Sequence, residues 1–143
     1  MEQKLTHPKY IYADILIGLA QADGHVDARE RELLDGIFTR MQLDPEAIQE
    51  MWLTPRTLDI IEAMLRDIPD RQFMHCLLKD CFLLAYADRT VDAGEHRFIK
   101  RITDVMDLSP ETIGAIHDWV RVAVDQKRKA EELFGADAAC LNG

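Results

Sequence analysis

The chain has 143 residues, 48% of them hydrophobic and 30% charged, with a formal net charge of −9. That length and apolar content suit one domain with a single core and exclude a disordered polar chain. The acidity argues against a nucleic-acid partner, because a negative surface repels phosphate backbones, and it points to cations or basic proteins instead.

No apolar run reaches the roughly 18 residues of a membrane span. The best stretch, residues 73–87, is broken by Lys79 and Asp80, so no integral membrane segment is expected. The first ten residues, MEQKLTHPKY, hold no apolar signal core, and the chain reads as cytoplasmic. Cys76, Cys81 and Cys140 are odd in number and lack C-x-x-C spacing, against a disulfide scaffold or a thiolate zinc knuckle. Cys76 and Cys81 are expected as core thiols of an apolar helix.

Helical period runs through nearly every segment. A first helix is expected from about Tyr10 to Ala22, with Ile11, Ile15, Leu16 and Leu19 on one face. A second starts at Asp27 and runs to about Met41. Asp44-Pro45-Glu46 gives a sharp start to a third, ending near Leu53: an N-cap, a proline at the first position, an acid in the first turn. Thr54-Pro55 reads as the same signal for a fourth helix, to about Asp67. Asp70 caps a long fifth through Tyr86. Asp92 starts a sixth, to about Met106, and Ser109-Pro110-Glu111 a seventh, to about Leu133. Residues 135–143 are expected to be a flexible tail. No hairpin-like alternation is present.

The chain repeats itself. Asp23-Gly24-His25-Val26-Asp27-Ala28-Arg29-Glu30 returns 65 residues later as Asp88-Arg89-Thr90-Val91-Asp92-Ala93-Gly94-Glu95. Residues 19–48 and 84–113 align without a gap, sharing among others Leu19, Ala20, Asp23, Val26, Asp27, Glu30, Ile37, Met41, Pro45 and Glu46. The expected fold is therefore all-α, about seven helices in two pseudo-symmetric duplicated halves of a single domain. The first repeat covers about 10–53 and the second about 71–133.

Asp27-x-x-Glu30 and Asp92-x-x-Glu95 fit a capping box, in which Asp accepts from the backbone N–H three residues on and Glu reaches back. Capping does not explain Asp23 and Asp88. Each is placed at the C-terminal end of a helix, where the dipole disfavours an acid. Three carboxylates around one turn suit a hard cation, Ca²⁺, Mg²⁺ or Mn²⁺. The spacing is not an EF-hand: with Asp23 first, the sixth position is Ala28 and the twelfth Leu34, and the second copy has Ala93 and Ile99 there. His25 would bring the first turn closer to a Zn²⁺ site, but Thr90 replaces it in the second copy.

At these residues the chain resembles the TerB-like family, named for tellurite resistance. Its members carry an A-x-A-D-G-x-V-D-x-x-E turn like Ala20 to Glu30 and a looser second copy like Ala85 to Glu95. The resemblance covers roughly residues 10–120. It implies a seven-helix fold with internal two-fold character, a link to tellurite and stress resistance, and metal ions held at acidic turns. By position those ligands are Asp23, Asp27 and Glu30, with Asp88, Asp92 and Glu95. Arg89, standing where the first copy has Gly24, departs from the pattern and would either weaken the second turn's hold on a cation or pair with its carboxylates in the cation's place.

No nucleophile elbow, Walker loop, dinucleotide motif or H-E-x-x-H helix is present. His75 and His117 read as structural or surface residues. The methionines, Trp52 and Trp119 read as packing residues, and Lys127 to Lys129 as a solvated helix end. The expectation is a non-enzymatic module that binds a divalent cation. A metal-independent acidic module for an unidentified protein partner is the alternative, and a metal-dependent hydrolase a third reading.

Overall fold

The computed structural model describes residues 7–22, 24, 26–86 and 93–135. Among these residues there are seven α-helices and no strand: α1 Pro8–Ala20, α2 Ala28–Arg40, α3 Pro45–Leu53, α4 Leu58–Arg66, α5 Arg71–Ala85, α6 Ala93–Met106 and α7 Pro110–Phe134. Residues 136–143, which hold the expected flexible tail apart from Gly135, lie outside the described residues.

Local chemistry sets the starts. Asp27, Asp44, Thr57, Asp70 and Ser109 each sit in extended backbone and accept a hydrogen bond from a first-turn N–H of the helix that follows. Pro8, Pro45 and Pro110 occupy first helical positions, where a missing N–H costs nothing.

One expected start is displaced. The fourth helix begins at Leu58 under a Thr57 cap, not at Thr54-Pro55. The strand-like residues between hold Arg56, whose Nη1 lies 3.2 Å from Oδ2 of Asp14 in α1. That pairing ties residues 54–57 to α1.

α1 is the central element. Ten of its thirteen residues are buried, so it is covered on nearly every side. It packs against α2, α3, α4, α5 and α6. α5 is the second long core helix and lies against α1, α2, α6 and α7, while α4 packs on α6. At Gly18 α1 and α6 are in close contact: a Cβ there would stand 3.0 Å from the Phe98 ring. α7 is the outermost helix. Val120 is the buried residue among those it contributes, with Ile113, Ile116 and Val124 partly buried beside it.

The repeat is visible in local geometry. Leu19 and Leu84 are both 0% exposed, and Ala20 and Ala85 both 1%. The helices α2 and α6 each end in a non-glycine residue with left-handed backbone, Gln42 at φ 58° and Asp107 at φ 56°. These two residues are 65 apart, like the acidic turns. Left-handed backbone is uncommon for a residue with a side chain, and here it recurs at the spacing of the sequence repeat.

Two expectations about single residues are corrected. Cys81 is buried, but Cys76 is exposed. The inward stripe of α5 runs through Met74, Leu77, Leu78, Cys81, Leu84 and Ala85, and Cys76 falls outside it. Trp119 is 61% exposed. It neighbours Val120 in sequence, and a step of one residue turns the helix about 100° away from the core.

Candidate functional site

The first acidic turn follows α1. The Gln21 N–H donates to Ile17 O and the Gly24 N–H to Gln21 O, both at 3.1 Å. Gly24 has φ 93°, a conformation that a side chain would strain. The chain then turns extended at Asp27, and α2 begins. Asp27 Oδ1 accepts the Glu30 N–H at 2.8 Å. Half of the expected capping box is thus in place.

Glu30 departs from an ordinary capping residue. It is 2% exposed. The equivalent residue of the second copy, Glu95, is also 2% exposed. Each is the third residue of its helix, α2 or α6. A first-turn acid meets the helix dipole equally well from the surface, so capping alone does not call for burial. α1 packs against both helices that carry these two glutamates.

Of the six predicted ligands, Asp27, Glu30 and Glu95 are described. Asp23, Asp88 and Asp92 lie outside the described residues, as do His25, Arg89 and Thr90. Among the described residues no group of three or more His, Cys, Asp or Glu is placed to hold a metal ion. The described donors are carboxylates, a donor type that suits a hard divalent cation.

The remaining buried polar chemistry was not expected. Asp14 is 4% exposed in the middle of α1. Burial pushes its carboxyl up to about 6, against the opposing pull of Arg56. Tyr12, one helical face away, donates its hydroxyl to Asp80 of α5, and its oxygen lies 2.9 Å from the carbonyl of Cys76. Burial first, then the Asp80 charge, pushes the Tyr12 phenol well above its ordinary value. Burial does the same to the Cys81 thiol.

Next to the second acidic turn, Tyr86 ends α5 and shares a 2.6 Å hydrogen bond with Nε2 of His117 on α7. The His117 ring stacks edge-on to Phe82 at 5.0 Å. His117 is therefore a structural histidine, but one that joins α7 to the residue just before the turn. The only signal for these pairs in the sequence is a polar residue inside an apolar run, such as Asp14 within Tyr10 to Ala20.

No helix of the described residues is long and apolar enough to cross a membrane. Residues 11–118 match the family described as "Tellurite resistance protein TerB". Searches of curated proteins and of solved structures each found no match.

Proposed function

Because the chain belongs to the TerB family, matched from residue 11 to 118, we propose that it is a non-enzymatic, cytoplasmic module of the tellurite-resistance or stress-response type whose paired acidic turns bind a divalent cation. The observation that carries this reading is the twin burial of Glu30 and Glu95 at equivalent helix positions. Two buried acids at equivalent positions, beside turns that each hold two more aspartates in sequence, gather the carboxylate oxygens that a hard cation takes. Asp23, Asp27 and Glu30 would hold one ion, and Asp88, Asp92 and Glu95 a second. Ca²⁺, Mg²⁺ and Mn²⁺ suit this oxygen donor set, with Zn²⁺ possible at the His25 turn. The ion would supply charge neutralisation and hold each helix start against the preceding helix.

Thermal unfolding of chelator-stripped protein, with each ion added singly, tests the proposal. An ion at about 100 times its dissociation constant stabilises the folded state by about 2.7 kcal/mol. Asp23→Ala and Asp88→Ala should each remove the part of the gain that comes from its own turn. Full retention of the shift in both variants would overturn the assignment.

A metal-independent interaction module is the second reading, and one observation favours it. On α7 the exposed Trp119 and Val122 are flanked by Asp118 and Asp125, with side chains 71% and 55% exposed. An apolar patch edged by acids suits a basic amphipathic helix. Partner binding that weakens with salt and ignores chelator would select this reading.

A further inference from the structure

A cleft of about 420 Å³ is lined by none of the six acidic-turn residues. It forms where the start of α1, the end of α2 and the middle of α5 meet, and that volume is typical of small-molecule sites. Its charge runs against the rest of the molecule. Lys9, Arg40 and Lys79 line it with a single carboxylate, Asp80, and His7 adds an imidazole. The whole chain carries −9.

Asp80 offsets one of these cations, Lys79, and leaves the other two. It is buried and takes the Tyr12 hydroxyl, and Lys79 Nζ stands 3.6 Å from its other oxygen. Among the described residues, Lys9 and Arg40 have no ion-pair partner. The first turn of α1 contains no acid, and its one side-chain cap is a neutral acceptor, His7 Nδ1, which takes the Lys9 N–H at 3.2 Å. The walls between the cations are apolar: Pro8, Ile37, Met41 and Phe73. Phe73 is fixed edge-on to Tyr12, with ring centroids 5.4 Å apart.

We propose that this cleft binds a small amphipathic carboxylate, its acid group met by Lys9, Arg40 and Lys79 and its hydrocarbon body by Ile37, Met41 and Phe73. The apolar walls favour such a ligand over a bare oxyanion, and the cations favour it over a neutral apolar one. The site needs no metal, so it stands or falls apart from the acidic turns.

Cys76 provides the readout. It lines the cleft and is exposed, whereas Cys81 is buried. Alkylation of Cys76, followed by mass spectrometry of its peptide, should slow when decanoate fills the cleft. Calorimetry with decanoate, in the presence of chelator, measures the affinity directly. The double variant Lys9→Glu, Arg40→Glu changes two side chains outside the core and should weaken decanoate binding by about tenfold or more, given the strength of hydrogen bonds to charged groups. Decanol and inorganic phosphate should each bind far more weakly than decanoate. Equal binding of decanol, or full decanoate affinity in the double variant, would overturn the proposal. So would recruitment to anionic phosphatidylglycerol vesicles without any protection of Cys76 by soluble decanoate, which would make the patch a membrane-surface contact.

Discussion

Replacing Asp14 by Asn tests how the centre of the fold handles charge. Two arguments predict opposite signs. Removing one partner of a buried ion pair commonly destabilises by about 3–5 kcal/mol, because the other charge is left stranded. Here the partner is not stranded. The Arg56 side chain keeps 19% of its exposure, and its Nη1 also reaches Met64 Sδ at 3.0 Å. The direction of the Asp14 shift then decides. An ordinary aspartate titrates near 3.8 and Asp14 at about 6, even with Arg56 beside it. The folded state thus holds the proton more tightly than the unfolded chain. Stability from this group is full below about pH 3.8, falls as the unfolded chain ionises, and levels off above about pH 6. At 1.36 kcal/mol per pH unit, the fall is about 3 kcal/mol. Asn imitates the protonated acid and escapes the fall. Asp14→Asn should therefore match the parent protein near pH 4 and exceed it by up to about 3 kcal/mol at pH 7.5. Urea unfolding of both proteins at pH 4, 5, 6 and 7.5 measures the difference, and other titrating groups cancel in the comparison. A variant that is less stable at pH 7.5 than at pH 4, relative to the parent, would show that the ion pair outweighs desolvation and would refute the reasoning.

Gly36→Ala should stabilise by about 0.5–1 kcal/mol, since Gly36 lies inside α2 and an added Cβ would meet no atom within 4 Å; the urea midpoint reads this out. Tyr86→Phe should cost about 1 kcal/mol through the lost bond to His117 and should move the His117 ring resonances in an NMR spectrum; unchanged resonances would count against that bond in solution. Leu77→Ala, at a position with 0% exposure in α5, should cost about 2–5 kcal/mol, with the denaturant slope unchanged.

The sequence made the helices legible wherever a side chain caps a backbone locally. Asp27, Asp44, Asp70 and Ser109 mark their helix starts because the capping bond spans only two or three residues. Thr54-Pro55 misled because a second local cap, Thr57, lies three residues on and is the one used, while Arg56 between them reaches Asp14, forty-two positions away in the chain. The burial of Asp14 and Asp80 was hidden because their partners, Arg56 and Tyr12, are distant in the chain. Trp119 and Cys76 were misread because composition places such residues inside, whereas helical phase turned them outward. The acidic turns were legible as a repeated pattern. The burial of Glu30 and Glu95 was not, because a capping acid needs no particular depth.

The near-complete burial of α1 has a consequence for synthesis. A helix apolar on all sides has no stable life in water alone. Its main neighbour α5 is finished only at Ala85, about 65 residues after Ala20. At roughly 5–20 residues per second, the ribosome leaves α1 without that cover for about 3–13 s. During that interval α2, α3 and α4 can shield only part of it. The nascent chain therefore presents a sticky cylinder to whatever waits at the exit tunnel, and fragments that stop before Ala85 should aggregate. Fragments that stop beyond Val124 should stay soluble, since the described residues they lack include none that is buried.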